Sequence, residues 1–248
     1  MTLPFSSEFL SKKSLWFFWV LMSLIVALDP PEGVDGVKWC INLINELDGV
    51  PKGFKVGLPL VVKEGVKGLR EVASVMDTEL VIADLKLADI GYVMSLITKA
   101  VANAGVNTVI AHAFIGTEGA LSELTSICNE LGIKLVLVAF MSHPGAVKVM
   151  KKVFSDLLDI VREINAWGVV LPATMPDVVK AGRKYLGPSF KILAPGVGAQ
   201  GAAPGDALCA GADYEIVGRL ITKAENPSKV ALELIKKQEE RVRACRGL

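Results

Sequence analysis

The sequence predicts an α/β protein that forms a single (β/α)8 barrel, the TIM-barrel architecture. Short apolar runs alternate with amphipathic stretches at a spacing of roughly 25–30 residues, which is typical of repeated βα units around a parallel sheet. Eight such runs occur within the 248 residues, and no Ser- or Gly-rich linker divides them. Because eight βα units close into a barrel of about this length, we expect one catalytic domain over residues 22–240.

The eight apolar runs are the predicted strands, at residues 24–28, 53–57, 80–84, 107–112, 134–140, 167–171, 191–195 and 214–218. Apolar residues at three- to four-residue spacing between these runs predict helices at 34–47, 60–76, 93–104 and 157–166. In such a barrel, chemistry belongs at the carboxyl ends of the strands, where the βα loops converge. Polar residues at those ends are therefore the candidates for a site.

The two ends of the chain fall outside the predicted barrel. Residues 1–21 form an apolar extension in which Lys12 and Lys13 precede a run resembling a signal peptide or membrane anchor. That run is shorter than the roughly 20 residues of a spanning helix, and its second half is the first predicted strand. Our hypothesis is that Met22 is the natural start. At the other end, residues 241–248 are predicted to be a charged, solvated tail.

Composition narrows the classes of partner. Lys and Arg total 27 against 26 Asp and Glu, a net charge of +1, so we expect neither nucleic acid nor a membrane as partner. The four cysteines contain no C-x-x-C pair, which argues against a zinc ribbon or a redox dithiol. We expect four free thiols in a reducing cytoplasm, at Cys40, Cys128, Cys209 and Cys245.

The sharpest local feature is a cluster of charges that follows the third apolar run. Asp84, Lys86 and Asp89 stand in the otherwise apolar segment 83–90. In extended backbone, Asp84 and Lys86 point the same way because they are two residues apart. The pattern predicts a carboxylate and an ammonium on one face at the barrel mouth, although an ordinary structural ion pair would give the same pattern.

With this D-x-K-x-x-D element, the chain resembles the orotidine 5'-phosphate decarboxylase family. The likeness extends to Leu-Ile-Val-Ala-Leu-Asp at 24–29, Phe-Lys-Val-Gly at 54–57 and Ile-Val-Gly-Arg at 216–219. Met-Ser-His-Pro-Gly at 141–145 and Ala-Pro-Gly-Val-Gly-Ala-Gln-Gly at 194–201 resemble the archaeal form of the family. These elements occur in barrel order, so the combination is far more specific than any one of them.

The resemblance implies decarboxylation of orotidine 5'-phosphate to UMP, the last step of de novo pyrimidine nucleotide synthesis, without metal or cofactor. It makes Lys86 the proton donor to C6 of the pyrimidine and Asp84 the carboxylate that faces the carboxylate of the substrate. Asp89 is implied to reach the active site of a neighbouring subunit, which makes the enzyme a homodimer. Asp29 and Lys55 complete an alternating network of charges.

The loops after the seventh and eighth predicted strands form the usual phosphate corner of such a barrel. Glycines within 196–201 permit close approach of backbone N–H groups, and Arg219 offers a guanidinium for bidentate contact. The resemblance adds Ser142 as a hydrogen-bond partner of the pyrimidine. The predicted substrate-binding residues are Asp29, Lys55, Ser142, Pro195, Gly196, Gln200, Gly218 and Arg219.

One position departs from the pattern of the family. The third-strand loop commonly continues as D-I-P-x-T, whereas this chain has Asp-Ile-Gly-Tyr-Val at 89–93. Val93 has no hydroxyl for the ribose contact that the threonine makes from the partner subunit. That contact is therefore expected to rest on Asp89 alone, unless Tyr92 compensates.

Two alternatives remain open at the level of sequence. The related magnesium-dependent sugar-phosphate decarboxylases and synthases share the D-x-K-x-x-D element, but they typically carry a glutamate where this chain has Lys55. An ammonium there would repel a divalent cation, and His112 and His143 are the only histidines, so no metal site is predicted. The other alternative is a catalytically silent phosphate-binding barrel.

Overall fold

The computed structural model describes residues 23–247 and confirms the predicted (β/α)8 barrel. Eight parallel strands follow one another around the barrel, which closes where β1 pairs with β8. The strands are β1 Leu24–Leu28, β2 Gly53–Gly57, β3 Leu80–Leu87, β4 Thr108–His112, β5 Lys134–Val138, β6 Gly168–Val170, β7 Lys191–Pro195 and β8 Tyr214–Val217. The hypotheses about residues 1–21 and a start at Met22 lie outside the described residues.

Helices surround the barrel and connect successive strands. They are α1 Gly36–Glu46, α2 Leu58–Ala73, α3 Gly91–Ala102, α4 Ser122–Leu131, α5 Pro144–Met150, α6 Phe154–Glu163, α7 Pro176–Leu186, α8 Asp206–Cys209, α9 Arg219–Thr222 and α10 Pro227–Arg246. Short irregular helical turns occupy Ala113–Ile115, Thr117–Leu121 and Lys151–Val153. Within residues 23–247, none of the helices has both the length and the apolar character needed to span a bilayer.

The strands are apolar along nearly their whole length because both of their faces are covered. One face packs in the barrel interior and the other packs against the helices, as in other all-parallel sheets. Leu24, Ile25 and Val26 in β1, for example, are all fully buried. This continuous burial explains why the strands appear in the sequence as unbroken apolar runs.

The bounds of the strands and of the four predicted helices lie within three residues of the predicted ones; β4, β5, β6 and β8 are shorter than predicted, and β3 is longer. β3 runs to Leu87 rather than ending at Asp84, because Leu87 pairs again with Ala111 of β4. The helix α10 continues without a break to Arg246, and Val242 within it is fully buried. Residues 241–246 therefore belong to this helix.

The expectation of four free thiols is wrong for two of the cysteines. Cys209 at the end of α8 and Cys245 near the end of α10 form a disulfide, whereas Cys40 and Cys128 are free and buried. The two bonded residues are 36 positions apart, and only the docking of α10 against α8 brings them together. Burial raises the pKa of each free thiol to about 12, so neither is a reactive thiolate at neutral pH.

This disulfide should add measurable stability because it closes a loop of the unfolded chain. A loop of this length corresponds to roughly 2–4 kcal/mol in the free energy of unfolding. We expect urea denaturation of the wild type to show a loss of about that size when dithiothreitol is added.

The double variant Cys209→Ser/Cys245→Ser is the control for this measurement. Its free energy of unfolding should equal that of the reduced wild type and should not respond to dithiothreitol. A wild type whose denaturation curve is the same with and without the reductant would contradict the expectation.

Candidate active site

A cavity of about 300 Å³ opens at the carboxyl ends of the strands. Its floor takes one residue from each of the eight strands, in order Ala27, Lys55, Asp84, Ile110, Val138, Val170, Pro195 and Ile216. Six of these eight residues are apolar, so the two charges on the floor have little water around them. Of the residues predicted for the site, all but Asp89 line this cavity: Asp29, Lys55, Asp84, Lys86, Ser142, Pro195, Gly196, Gln200, Gly218 and Arg219.

Four charged side chains alternate in sign along one side of the cavity. Asp84 lies at the centre, with Lys86 Nζ 2.8 Å from both of its carboxylate oxygens. Lys55 Nζ lies 3.1 Å from Asp84 Oδ2 and 3.9 Å from Asp29 Oδ1. The order Asp29, Lys55, Asp84, Lys86 gives each inner charge two neighbours of opposite sign. An isolated structural ion pair would lack this continuity.

A bulge in β3 presents Asp84 and Lys86 to the cavity. Ala83 pairs with Val109 of β4, but the next pair on this side joins Leu87 to Ala111, so extra residues on β3 leave the ladder. Lys86 has a φ of 47°, in the left-handed region that residues other than glycine rarely adopt. Strain of this kind persists where surrounding structure fixes it, which is common at functional sites.

Burial and the two lysines act in opposite directions on Asp84. Burial alone would raise the pKa of this carboxyl, because a charge is poorly solvated there. The adjacent Lys55 and Lys86 outweigh burial, and the pKa of Asp84 lies below its ordinary value. Asp84 is therefore a carboxylate at neutral pH even though its side chain is 10% exposed.

On the opposite side of the cavity, residues 196–205 form the loop that follows β7, here called the glycine loop. Gly196 and Gly198 have φ values of 119° and 75°, which a residue with a Cβ would adopt only under strain. A Cβ at Gly196 would also lie 3.2 Å from Gln200 Oε1, so the glutamine side chain folds over the turn. Arg219, at the start of α9, faces the same space.

Apart from Pro195, the apolar part of the cavity floor was not predicted from the sequence. Ala27, Ile110, Val138, Val170 and Ile216 are inward-facing residues near the carboxyl ends of their strands. The period-two alternation of each strand, counted back from its carboxyl end, is the signal that would have found them. They exclude water from the charged side of the cavity.

Asp89 does not reach the cavity of its own chain. Its side chain is exposed, and its Oδ1 accepts a hydrogen bond from the backbone N–H of Ile90 at 2.7 Å. The following Tyr92 is 67% exposed, and Val93 is half-buried in the first turn of α3. A single chain therefore leaves the third charge of the D-x-K-x-x-D element facing outward.

His112 closes β4 beneath the loops and is buried against Phe114, with ring centroids 4.8 Å apart. Its Nδ1 has no hydrogen-bond partner among residues 23–247. Burial, and secondarily the positive charge of Lys86, lower the pKa of the imidazole. His112 is therefore a neutral packing residue at the edge of the site.

Comparison with known proteins agrees with this geometry. The model of the orotidine 5'-phosphate decarboxylase / HUMPS family matches residues 22–234. An orotidine 5'-phosphate decarboxylase from Aeropyrum pernix is 47% identical over 206 residues, which are 82% of this chain and 83% of the relative. One from Saccharolobus solfataricus is 40% identical over 225 residues, 90% of this chain and 95% of the relative.

Solved structures show the same relationship in three dimensions. The crystal structure of orotidine 5'-monophosphate decarboxylase from Sulfolobus solfataricus superposes with a TM-score of 0.78 at 38% identity, covering 89% of this chain and 99% of that one. The enzyme from Methanocaldococcus jannaschii, complexed with the inhibitor BMP, superposes with a TM-score of 0.79 at 28% identity, covering 88% and 99%. The chain therefore belongs to the orotidine 5'-phosphate decarboxylase / HUMPS family.

Proposed function

We propose that this protein decarboxylates orotidine 5'-phosphate to UMP, with no metal ion or cofactor taking part. The observation that carries the proposal is the alternating array of Asp29, Lys55, Asp84 and Lys86 beside a mostly apolar floor. Lys55 occupies the place where the magnesium-dependent relatives carry a glutamate, and its ammonium lies between two carboxylates. Those carboxylates are thereby neutralised by a fixed cation.

The reaction breaks the bond between C6 of the pyrimidine and its carboxylate. The electron pair of that bond stays on C6, carbon dioxide leaves, and a proton moves from Lys86 Nζ to C6. No carbonyl adjoins C6 to accept the electrons, so the developing carbanion depends on fixed charge in a site with little water. The Lys86 side chain is 38% exposed, so solvent can return its proton after each turnover.

Asp84 contributes to catalysis in two ways: it repels the carboxylate of the substrate, and it positions the Lys86 ammonium through their hydrogen bonds. Two like charges about 4 Å apart interact by roughly 4 kcal/mol at an effective dielectric constant near 20. A substrate carboxylate bound beside Asp84 loses that repulsion when it leaves as neutral carbon dioxide. The glycine loop and Arg219 bind the remote phosphate, and that binding energy offsets the repulsion at the other end of the substrate.

The direct test of this function follows the loss of substrate absorbance with purified protein in excess EDTA. Lys86→Ala removes the proton donor and the charge that stabilises C6, so kcat should fall by at least about 10³-fold. Lys67→Ala, at an exposed helix position, is the matched control and should turn over like the wild type. A folded wild type with no chelator-resistant turnover would reject the proposal.

Carbon-13 NMR titration of the Asp84 carboxyl tests the electrostatics of the array. In the wild type its pKa should lie below the ordinary 3.8. Because the folded-state pKa is lowered, Asp84 stabilises the fold above pH 3.8, and this stability is lost as the pH falls through the folded-state pKa. In Lys55→Ala the pKa should rise, since burial is then opposed by Lys86 alone.

In the same titration, Lys67→Ala should leave the pKa of Asp84 unchanged. A wild-type pKa at or above 3.8 would show that burial outweighs the lysines and would contradict the account of the array.

We further propose that the active enzyme is a homodimer in which Asp89 completes the site of the partner. Asp89 faces away from its own cavity, and a second cavity of about 600 Å³ opens beside Asp84 and Lys86. Large apolar side chains are exposed on the segments after β3 and β4, namely Ile90, Tyr92, Leu96 and Phe114. Exposed apolar side chains of this size favour a protein interface.

Subunit mixing tests this arrangement. Lys86→Ala and Asp89→Ala should each be nearly inactive alone. Refolding them together in equal amounts should restore about a quarter of wild-type activity, because half of the randomly formed dimers contain one site with both residues intact. Each variant refolded alone is the control. If the mixture stays as inactive as its components, Asp89 acts within its own subunit or not at all.

We also propose a cytoplasmic location. Substrate and product are phosphate monoesters, and a charged phosphate does not cross a bilayer unaided because its desolvation is too costly. The enzyme is then expected in the compartment where these nucleotides are made and used.

A further inference from the structure

We propose that Glu215, a buried carboxylate in β8, is a positioning residue that holds the glycine loop in shape for the substrate phosphate. It acts through the backbone of the loop and is itself held by Gln238 of α10. The proposal rests on the proposed function, because that function gives the glycine loop its ligand.

Glu215 lies next to the site without facing it. Its neighbour Ile216 lines the cavity, so Glu215 points to the other face of β8, toward the helices. The residue is fully buried, which is unusual for a carboxylate. The same strand leads directly into Gly218 and Arg219, the other candidates for phosphate contact.

The hydrogen bonds to this carboxylate come from Gly205 at the end of the glycine loop, from the first turn of α8 and from α10. The backbone N–H of Gly205 donates to both carboxylate oxygens, at 3.0 and 2.9 Å, and that of Ala207 donates to Oε1 at 3.1 Å. Gln238 Nε2 donates to Oε2 at 2.8 Å. Burial raises the pKa of Glu215, and these donors oppose that rise by favouring the charged form.

The anchored end of the loop is coupled to the part that faces the cavity. Val197 and Ala202 form a bridge across the loop, and Gly198 N–H donates to the carbonyl of Ala202 at 2.9 Å. Only two residues separate Ala202 from Gly205. Val197, Ala199 and Gln200 all line the cavity. The first end of the glycine loop is already held by β7. Fixing Gly205 therefore restrains its second end.

The helix α10 closes the arrangement from outside. Gly205 has a φ of 89°, and a Cβ there would lie 2.7 Å from Arg241 Cβ and 3.2 Å from Gln238 Cα. The loop end is thus packed directly between β8 and α10. Gln238 Oε1 has no hydrogen-bond partner in the described chain, which leaves its amide free to turn over if Glu215 becomes an amide.

The test compares orotidine 5'-phosphate with orotidine, which lacks the phosphate. Glu215→Ala should lower kcat/KM for the phosphorylated substrate by about tenfold or more, chiefly through KM, and leave orotidine turnover unchanged. Glu215→Gln should restore most of the loss, because its carbonyl oxygen still accepts from the loop and the Gln238 amide can reverse. Glu233→Ala, at an exposed position of α10, is the matched control.

Amide hydrogen exchange of residues 196–205 measures the positioning itself. Exchange should be faster in Glu215→Ala than in the wild type or Glu233→Ala. If Glu215→Ala does not fold, Gln238→Ala should show the same pattern of kinetics and exchange at smaller amplitude. Unchanged loop exchange, or an equal loss with both substrates, would overturn the proposal. A wild type with no turnover of orotidine 5'-phosphate would instead reject the proposed function, and loop exchange would still decide the role of Glu215.

Discussion

The carboxylate of Asp84 is buried between two ammonium groups, and the charged half of the site is organised around keeping it ionised there. Removing one partner of a buried ion pair leaves an uncompensated charge, which typically costs about 3–5 kcal/mol. The barrel meets this requirement with Lys55 from β2 and Lys86 from the bulge in β3. The apolar ends of the other strands keep water away, so the fields of these charges are stronger than they would be in solvent. In the proposed reaction, the same array that stabilises Asp84 acts on the carboxylate of the substrate.

The second half of the site depends on β8 in a comparable way. Arg219 follows this strand directly, and Glu215 within it anchors the glycine loop that arises from β7. One strand therefore sets the position of a guanidinium and of a set of backbone N–H groups. The disulfide joins α8, which begins directly after Gly205, to α10, which packs against Gly205. The charged array and the glycine loop are thus held by separate elements, β1–β3 on one side of the barrel and β7, β8 and α10 on the other.

Sequence reasoning reached the barrel and most of the cavity because both follow from local patterns. Apolar runs of strand length fix the eight strands, and closure alone brings the ends of β1, β2, β3, β7 and β8 together. The bulge at Lys86 could not be predicted from the sequence. The left-handed φ of Lys86 occurs where the pairing with β4 shifts register, and no glycine marks the position. The disulfide and the contacts of Glu215 were missed for a related reason. The disulfide and the Glu215–Gln238 hydrogen bond join residues 36 and 23 positions apart through the docking of α10, and no spacing rule encodes that docking. Asp89 lies outside the cavity of the single chain, and the sequence suggests its role only by resemblance.

The central claim is that the charge of Asp84, rather than its shape, takes part in the chemistry. The most direct measurement is kcat for orotidine 5'-phosphate in Asp84→Asn, an isosteric change that keeps a hydrogen-bond acceptor for Lys86. The account predicts a loss of about 10²–10³-fold or more in a variant that remains folded and still binds UMP. A variant with kcat within a few-fold of the wild type would show that the carboxylate only positions Lys86, and it would contradict the account.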